Sequence, residues 1–181
     1  MPELTRIGVK VRPQFSSSCG CGRHPMKMVA IWTITLSAVL AGALDISATG
    51  LVRRTEGVPF RRLLQFVASG MMGTAAFEGG VNTAAIGLAL HFLIAAIWAA
   101  LYFSAANYWP VLMREPVLCG VLYGCVVHLV MSRVVMPLSG APKRPFTWKG
   151  WLLQLVIHIT CVGLPIALLQ SSRLMSGNIR P

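Results

Sequence analysis

Four apolar stretches constrain the fold of this chain more than any other feature of the sequence. They cover residues 28–49, 83–106, 116–136 and 150–170. The hydrocarbon core of a bilayer, ~30 Å thick, is crossed by about 20 helical residues, and a helix satisfies its own backbone hydrogen bonds there. Only 12% of the residues are charged, against about 25% in soluble domains. The sequence therefore predicts an all-α integral membrane protein, folded as an antiparallel four-helix transmembrane bundle.

The four stretches leave room for one membrane domain between two short tails. We expect a disordered basic tail at residues 1–27, the four-span domain at 28–172 and a short tail at 173–181. A later start at Met26 and a signal peptide cleaved at Ala41-Gly42-Ala43 are alternatives. The basic residues divide almost evenly between the two sides of the membrane when the full tail is counted, so the orientation depends on the true start.

The net charge of +11 does not indicate nucleic-acid binding. The basic residues are spread over tails and loops, and only Arg133 falls within an apolar stretch. Such loops are typical of membrane insertion and of contact with anionic headgroups. We therefore expect the lipid bilayer as the main partner, with a homo-oligomer or a larger membrane complex left open. The five cysteines predict no disulfide framework, and Cys19-Gly20-Cys21 lacks the second ligand pair of a zinc site.

An amphipathic helix is predicted in the first loop. Apolar residues recur there at helical spacing, and polar residues fall largely on the other side. The apolar set is Phe60, Leu63, Leu64, Val67 and Met71, and the polar set is Arg61, Arg62, Gln65 and Ser69. We expect this helix, within residues 59–77, to lie at the membrane interface with its arginines toward the headgroups. A re-entrant segment and a fifth span are the alternatives.

Three histidines lie inside the apolar stretches, one in each of the last three: His91, His128 and His158. Counted from the same side of the membrane at 1.5 Å per residue, each is ~12 Å deep, and Asp45 in the first stretch is ~8 Å deep. Ionisable side chains within a bilayer are rare and mark functional sites. We therefore expect Asp45 and the three histidines to line one intramembrane pocket, with Arg133 at its mouth.

Small residues repeat at four-residue steps beside these polar groups. The repeats are Ser37, Ala41 and Asp45; Gly87, His91, Ala95 and Ala99; and Gly120, Gly124, His128 and Ser132. Membrane helices pack closely along such faces. The polar groups are therefore expected to point into the bundle.

Several chemistries are compatible with such a pocket. Imidazole, carboxylate and guanidinium groups relay protons or bind a small solute. His91, His128 and His158 together suit zinc or non-haem iron, and histidines on facing helices ligate haem. A structural role, in which each histidine only forms an interhelical hydrogen bond, is a further interpretation. No nucleophilic triad, phosphate-binding loop or carboxylate pair supports an enzyme of the soluble type.

Parts of the chain resemble a known family. The segment Gly87–Tyr102 (GLALHFLIAAIWAALY) resembles the second span of the YagU-like family of bacterial inner-membrane proteins. Gly120–Pro142, which ends in MPLSGAP, and the last-span His158 are similar to the corresponding parts of that family. The resemblance covers residues 29–170 and implies a small helical fold in the bacterial cytoplasmic membrane. That family has no firmly assigned activity, although a stress or acid-tolerance role is attributed to it.

From these features we expect a small polytopic membrane protein that handles protons or a small solute through the predicted pocket. One alternative is a metal- or haem-binding redox or enzyme subunit with zinc, iron or haem as its cofactor. The other is a structural or assembly partner of a membrane complex.

Overall fold

The computed structural model describes residues 23–143 and 145–176, with side chains at 28–143 and 145–172. Four of the helices are long and apolar enough to cross a membrane: Met28–Thr55, Gly80–Tyr108, Pro116–Leu138 and Trp148–Ser172. The described residues contain no strand. The predicted all-α four-helix membrane bundle is therefore confirmed, and the chain is a multi-pass membrane protein.

The described chain forms helices in the following order. α1 is Arg23–Thr55, α2 is Phe60–Met72, α3 is Gly80–Tyr108, the short α4 is Val111–Arg114, α5 is Pro116–Leu138, and α6 begins at Trp148 and ends at Ser176. α1 begins inside the predicted tail 1–27, and α6 ends inside the predicted tail 173–181, because a helix keeps its backbone hydrogen bonds beyond its apolar part. Residues 1–22, with the Cys19-Gly20-Cys21 motif, and residues 177–181 lie outside the described residues.

The four spanning helices form an open arc. α1 packs against α3 on one side and α6 on the other, and α6 packs against α5. α3 and α5 make almost no backbone contact, so a gap separates them. α1 and α5 finish at one end of the bundle, and α3 and α6 begin there. We call this end the α2 end of the bundle. Toward the opposite, far end, the Tyr123 hydroxyl of α5 bridges the gap by donating a hydrogen bond to the Trp98 carbonyl of α3 (2.6 Å).

The far half of the bundle is closely packed. Its buried core consists of Ala38, Ala41, Ala99, Tyr102, Val127, Val162, Ile166 and Ala167. Two buried polar side chains of this half bond to the backbone. The Tyr102 hydroxyl donates to the Leu112 carbonyl (2.9 Å), and Gln170 Nε2 donates to the Ala99 carbonyl (2.9 Å). These bonds tie α3 to α4 and α6, and the packing closes the interior toward the far end.

α2 lies across the α2 end of the bundle. Its Leu63 and Leu64 pack with Ile46 of α1 and Ala84 of α3. At its other end, the backbone amide of Gly140, which follows α5, donates to the carbonyl of Gly70 (2.9 Å). With 13 residues, α2 is too short to span a bilayer. The predicted helix in the first loop is confirmed, and it covers the gap between α3 and α5 at this end.

The buried face of α2 differs from the predicted one. Gln65 and Ser69, which the pattern placed on the polar side, are buried, whereas Met71 is 76% exposed. Gln65 turns inward because its Nε2 donates a hydrogen bond to the Gly80 carbonyl at the start of α3 (2.9 Å). Arg61 is exposed, as predicted. Hydrophobic spacing alone did not reveal that a polar side chain anchors this helix.

Glycines allow the closest helix contacts. A Cβ atom at Gly87 of α3 would collide with the Leu64 carbonyl of α2, and one at Gly124 of α5 would lie 2.5 Å from the Ile159 Cα of α6. Most of the predicted small-residue positions are buried: Ser37, Ala41, Gly87, Ala95, Ala99, Gly120 and Gly124. The prediction that these faces point into the bundle is confirmed.

Replacing Gly87 by leucine should destabilise the protein by about 1–3 kcal/mol, because the new side chain pushes α2 away from α3. Ala85 is exposed on the same helix, so Ala85→Leu is the matched control and should leave stability unchanged. Thermal denaturation of the purified variants in detergent measures the difference. Equal midpoints for the wild type and Gly87→Leu would contradict the contact between α2 and α3.

Candidate functional site

A cavity of about 550 Å³ lies inside the α2 end of the bundle. The polar side chains that line it include Asp45, Thr49, His91, His128, Gln154 and His158. We call this cavity the polar chamber. The structure thus brings the predicted aspartate and all three predicted histidines, which come from four different helices, to one cavity.

His91 and Asp45 face each other between α3 and α1. His91 Nε2 lies 2.9 Å from the Gly42 carbonyl oxygen and 3.9 Å from Asp45 Oδ2. An N–H group at Nε2 donates to Gly42, and a protonated His91 also attracts the carboxylate. The second carboxylate oxygen, Asp45 Oδ1, is buried and has no hydrogen-bond partner among the described residues. Asp45 therefore has an unused acceptor in the wall of the chamber.

Unlike His91 and His158, His128 has no hydrogen-bond partner among the described residues. The residue is 2% exposed, and neither ring nitrogen has a hydrogen-bond partner within the described ranges. A buried polar group without a partner costs about 1–3 kcal/mol, so these nitrogens require water or a bound molecule. The chamber of about 550 Å³ has the space, since one water occupies ~30 Å³.

Aromatic packing fixes the position of the His128 ring. The ring lies edge-on to Trp151, with 4.8 Å between the centroids, and beside His158, with 5.3 Å between the centroids. His158 Nδ1 in turn lies 2.8 Å from the Gln154 carbonyl oxygen one turn earlier in α6. Two imidazoles on neighbouring helices are therefore held side by side, one bonded to the backbone and the other not.

Two π-helical turns shape the walls of the site. One, Met131–Val135, lies in α5, and the other, His158–Gly163, lies in α6. Each ends two residues before a proline, Pro137 or Pro165, and a proline removes one helical N–H donor. Turns of this kind are frequent at functional sites. Here they bring Met131 and His158 to the cavity walls.

The structure does not place Arg133 among the residues that line the polar chamber. Arg133 is exposed, and it is not among the residues that line the polar chamber, whereas its neighbour Ser132 is. Successive residues of a helix point in directions about 100° apart. The Arg133 side chain therefore points in a different direction from the Ser132 side chain in the chamber wall.

Arg53 and Lys143 supply the positive charge of the chamber instead. Arg53 lies in the last turn of α1, and it follows Asp45 and Thr49 at four-residue steps, so a helical face drawn from Asp45 would have found it. Lys143 belongs to the connection between α5 and α6. Its place depends on the path of that loop, for which the sequence contained no signal.

A second cavity of about 320 Å³ adjoins the polar chamber and lies in the gap between α3 and α5. Its walls are largely apolar and include Phe66, Met71, Ile94, Trp98, Met131 and Val135. We call it the apolar groove. Asp45, His91 and His158 line both cavities, so the two are continuous.

The structure does not support a metal site made of the three histidines. Among the residues that the structure describes, no three His, Cys, Asp or Glu side chains are grouped so that they could hold a metal ion. Cys125 and Cys161 are free and only partly buried. The geometry therefore does not favour the predicted zinc or iron alternative at His91, His128 and His158, and it adds no observation in favour of haem.

Replacing His128 by leucine should not lower thermal stability in detergent, because the change breaks no hydrogen bond to a described residue. His91→Leu removes the contacts to Gly42 and Asp45, and it should lower the free energy of unfolding by about 1 kcal/mol or more. Thermal melts of both variants provide the comparison. A larger loss for His128→Leu than for His91→Leu would contradict the unpartnered state of His128.

Comparison of the chain with family models, with curated proteins and with solved structures gave no match. The resemblance to the YagU-like family therefore stays a prediction from the sequence.

Proposed function

We propose that this protein takes protons or a small polar solute into the polar chamber from one side of the membrane. The observation that supports this most directly is His128, whose two buried ring nitrogens have no partner in the described part of the chain. An ionisable group inside a bilayer is costly and is a functional candidate by default. Water or a bound molecule in the chamber is the partner that the geometry allows.

The side chains of the chamber suit proton exchange. Imidazole changes its charge close to neutral pH, and His91 Nε2 lies 3.9 Å from a carboxylate oxygen of Asp45. Water in the chamber would connect this pair to His128. Arg53 and Lys143 attract anions, so a small anion or a weak acid is the solute that the charges favour.

The packing of the far half supports access from one side only. The deepest residues that line the cavities include Trp98 and Val162, and the core around Tyr102 and Ile166 follows them. This arrangement favours a binding or sensing pocket over a continuous pore. A structural role for the histidines fits the bonds of His91 and His158, but it leaves His128 unexplained.

We further propose that the protein lies in the bacterial cytoplasmic membrane, surrounded by lipids whose anionic headgroups meet its basic loops. The proposal on location rests on the resemblance of Gly87–Tyr102 and Gly120–Pro142 to the YagU-like family.

Acidification should quench the emission of Trp151, because a protonated His128 ring would lie 4.8 Å from the indole. The experiment uses proteoliposomes with Trp151 as the only tryptophan, Trp32, Trp98, Trp109 and Trp148 being replaced by phenylalanine. With randomly oriented protein, an external acid jump should quench one fraction at once and the remainder only after an ionophore is added. His128→Gln should abolish both phases.

The outcomes of the acid jump separate the hypotheses. Pyranine trapped inside the vesicles reports whether protons cross the membrane. Collapse of the pH gradient before the ionophore is added would contradict the one-sided pocket and indicate conduction. An identical response in the wild type and His128→Gln, or no response in either, would contradict proton access to His128 and leave the structural role.

A further inference from the structure

The polar chamber and the apolar groove together form one amphipathic cavity at the edge of the bundle. The groove occupies the gap where the backbones of α3 and α5 stay apart, on the α2 side of the Tyr123–Trp98 contact. Met71, on its rim, is 76% exposed. Since α3 and α5 both span the membrane, an apolar opening between them would face lipid, and its occupant would enter from the membrane.

The methionines of the groove suit a flexible chain. Met71, Met131 and Met136 all line it, and unbranched thioether side chains adapt to irregular apolar partners. The two cavities, of about 320 and 550 Å³, lie in the size range of sites for small organic molecules, about 300–1,000 Å³.

The charged side chains of the chamber indicate the chemistry of the polar end of the bound molecule. Arg53 and Lys143 line the chamber. Arg53 Nη1 is paired with Glu56 Oε2 at 2.5 Å, but a guanidinium has five N–H donors, so donors remain for an anion. Asp45 lies eight residues earlier in α1, ~12 Å along the helix, and next to His91. The Asp45 carboxylate is therefore too far from Arg53 to repel an anionic group bound there.

We propose that the amphipathic cavity binds an anionic phospholipid, with one acyl chain in the apolar groove and the headgroup phosphate beside Arg53 and Lys143. This inference rests on the binding role proposed for the polar chamber and names its ligand class. A bilayer lipid is favoured over a soluble anion because the groove is apolar, continuous with the chamber and open between α3 and α5.

The test uses Trp98, which lines the groove, as the only tryptophan. The protein is reconstituted in phosphatidylcholine vesicles that contain increasing fractions of phosphatidylglycerol with dibrominated acyl chains, because bromine quenches tryptophan on contact. Quenching should saturate at a low fraction of this lipid and should exceed the quenching by equally brominated phosphatidylcholine.

Charge variants test the headgroup contact. Lys143→Gln should lower the preference for phosphatidylglycerol about fivefold, as expected for one cation near a membrane surface. Lys149→Gln is the matched control: Lys149 is exposed near the start of α6, outside the chamber lining, and its loss should leave the preference unchanged. Equal effects of the two variants would indicate general surface charge and overturn the inference.

Groove variants test the chain contact. Val135 lines the groove, whereas its neighbour Val134 is 47% exposed and does not. Val135→Phe should therefore remove the saturable quenching, and Val134→Phe should retain it. Equal quenching in both variants would overturn the placement of the acyl chain.

Competitors identify the source of the anion. Displacement of brominated phosphatidylglycerol by millimolar inorganic phosphate would show a site for a soluble anion, and quenching by a brominated fatty acid alone would show a site for a free acid. Either result overturns the phospholipid inference. If Trp98 shows no lipid preference while Trp151 still responds to acid, the inference fails and the proposed function stands.

Discussion

The absence of close packing between α3 and α5 is the feature on which the rest of this structure depends. Each of the two helices packs closely against another helix through a glycine. Gly87 of α3 contacts α2, and Gly124 of α5 contacts α6. Across the gap, α3 presents Leu90, Ile94 and Trp98, and α5 presents Met131 and Val135. These side chains are too large to let the backbones of α3 and α5 approach each other closely. The bundle therefore stays open on one side, and α2 covers the opening at one end.

This arrangement divides the molecule into two halves with different properties. In the far half, tyrosine and glutamine side chains bond to backbone carbonyls and small residues fill the core. In the half next to α2, polar atoms of Asp45, Thr49 and His128 are buried without hydrogen-bond partners among the described residues. The far half is closely packed, although Gln170 Oε1 there also lacks a described partner, and four of the six such buried atoms belong to residues that line the polar chamber. Buried polar groups without partners lower the stability of a protein, and they are expected where those groups are needed to bind a ligand.

The sequence predicted the parts that depend on local periodicity. The four spans, the helix in the first loop and the shared cavity of Asp45 with three histidines follow from apolar length and helical spacing. The sequence did not indicate the direction of the Arg133 side chain, because depth along a helix does not specify direction around it. It failed for Gln65, whose inward orientation depends on a bond to Gly80 in the next helix. Lys143 and the apolar groove required the loop path and the gap between α3 and α5, which depend on long-range packing.

The most direct test of a one-sided polar chamber is the accessibility of Thr49, which lines it and is only partly exposed. Thr49→Cys is introduced after the native cysteines are replaced, and the protein, held in a single orientation in the membrane, is treated with a small charged thiol reagent from each side in turn. We expect labelling from one side only, the same side that labels Lys143→Cys in the loop between α5 and α6. Labelling from both sides, or from neither, would contradict the account.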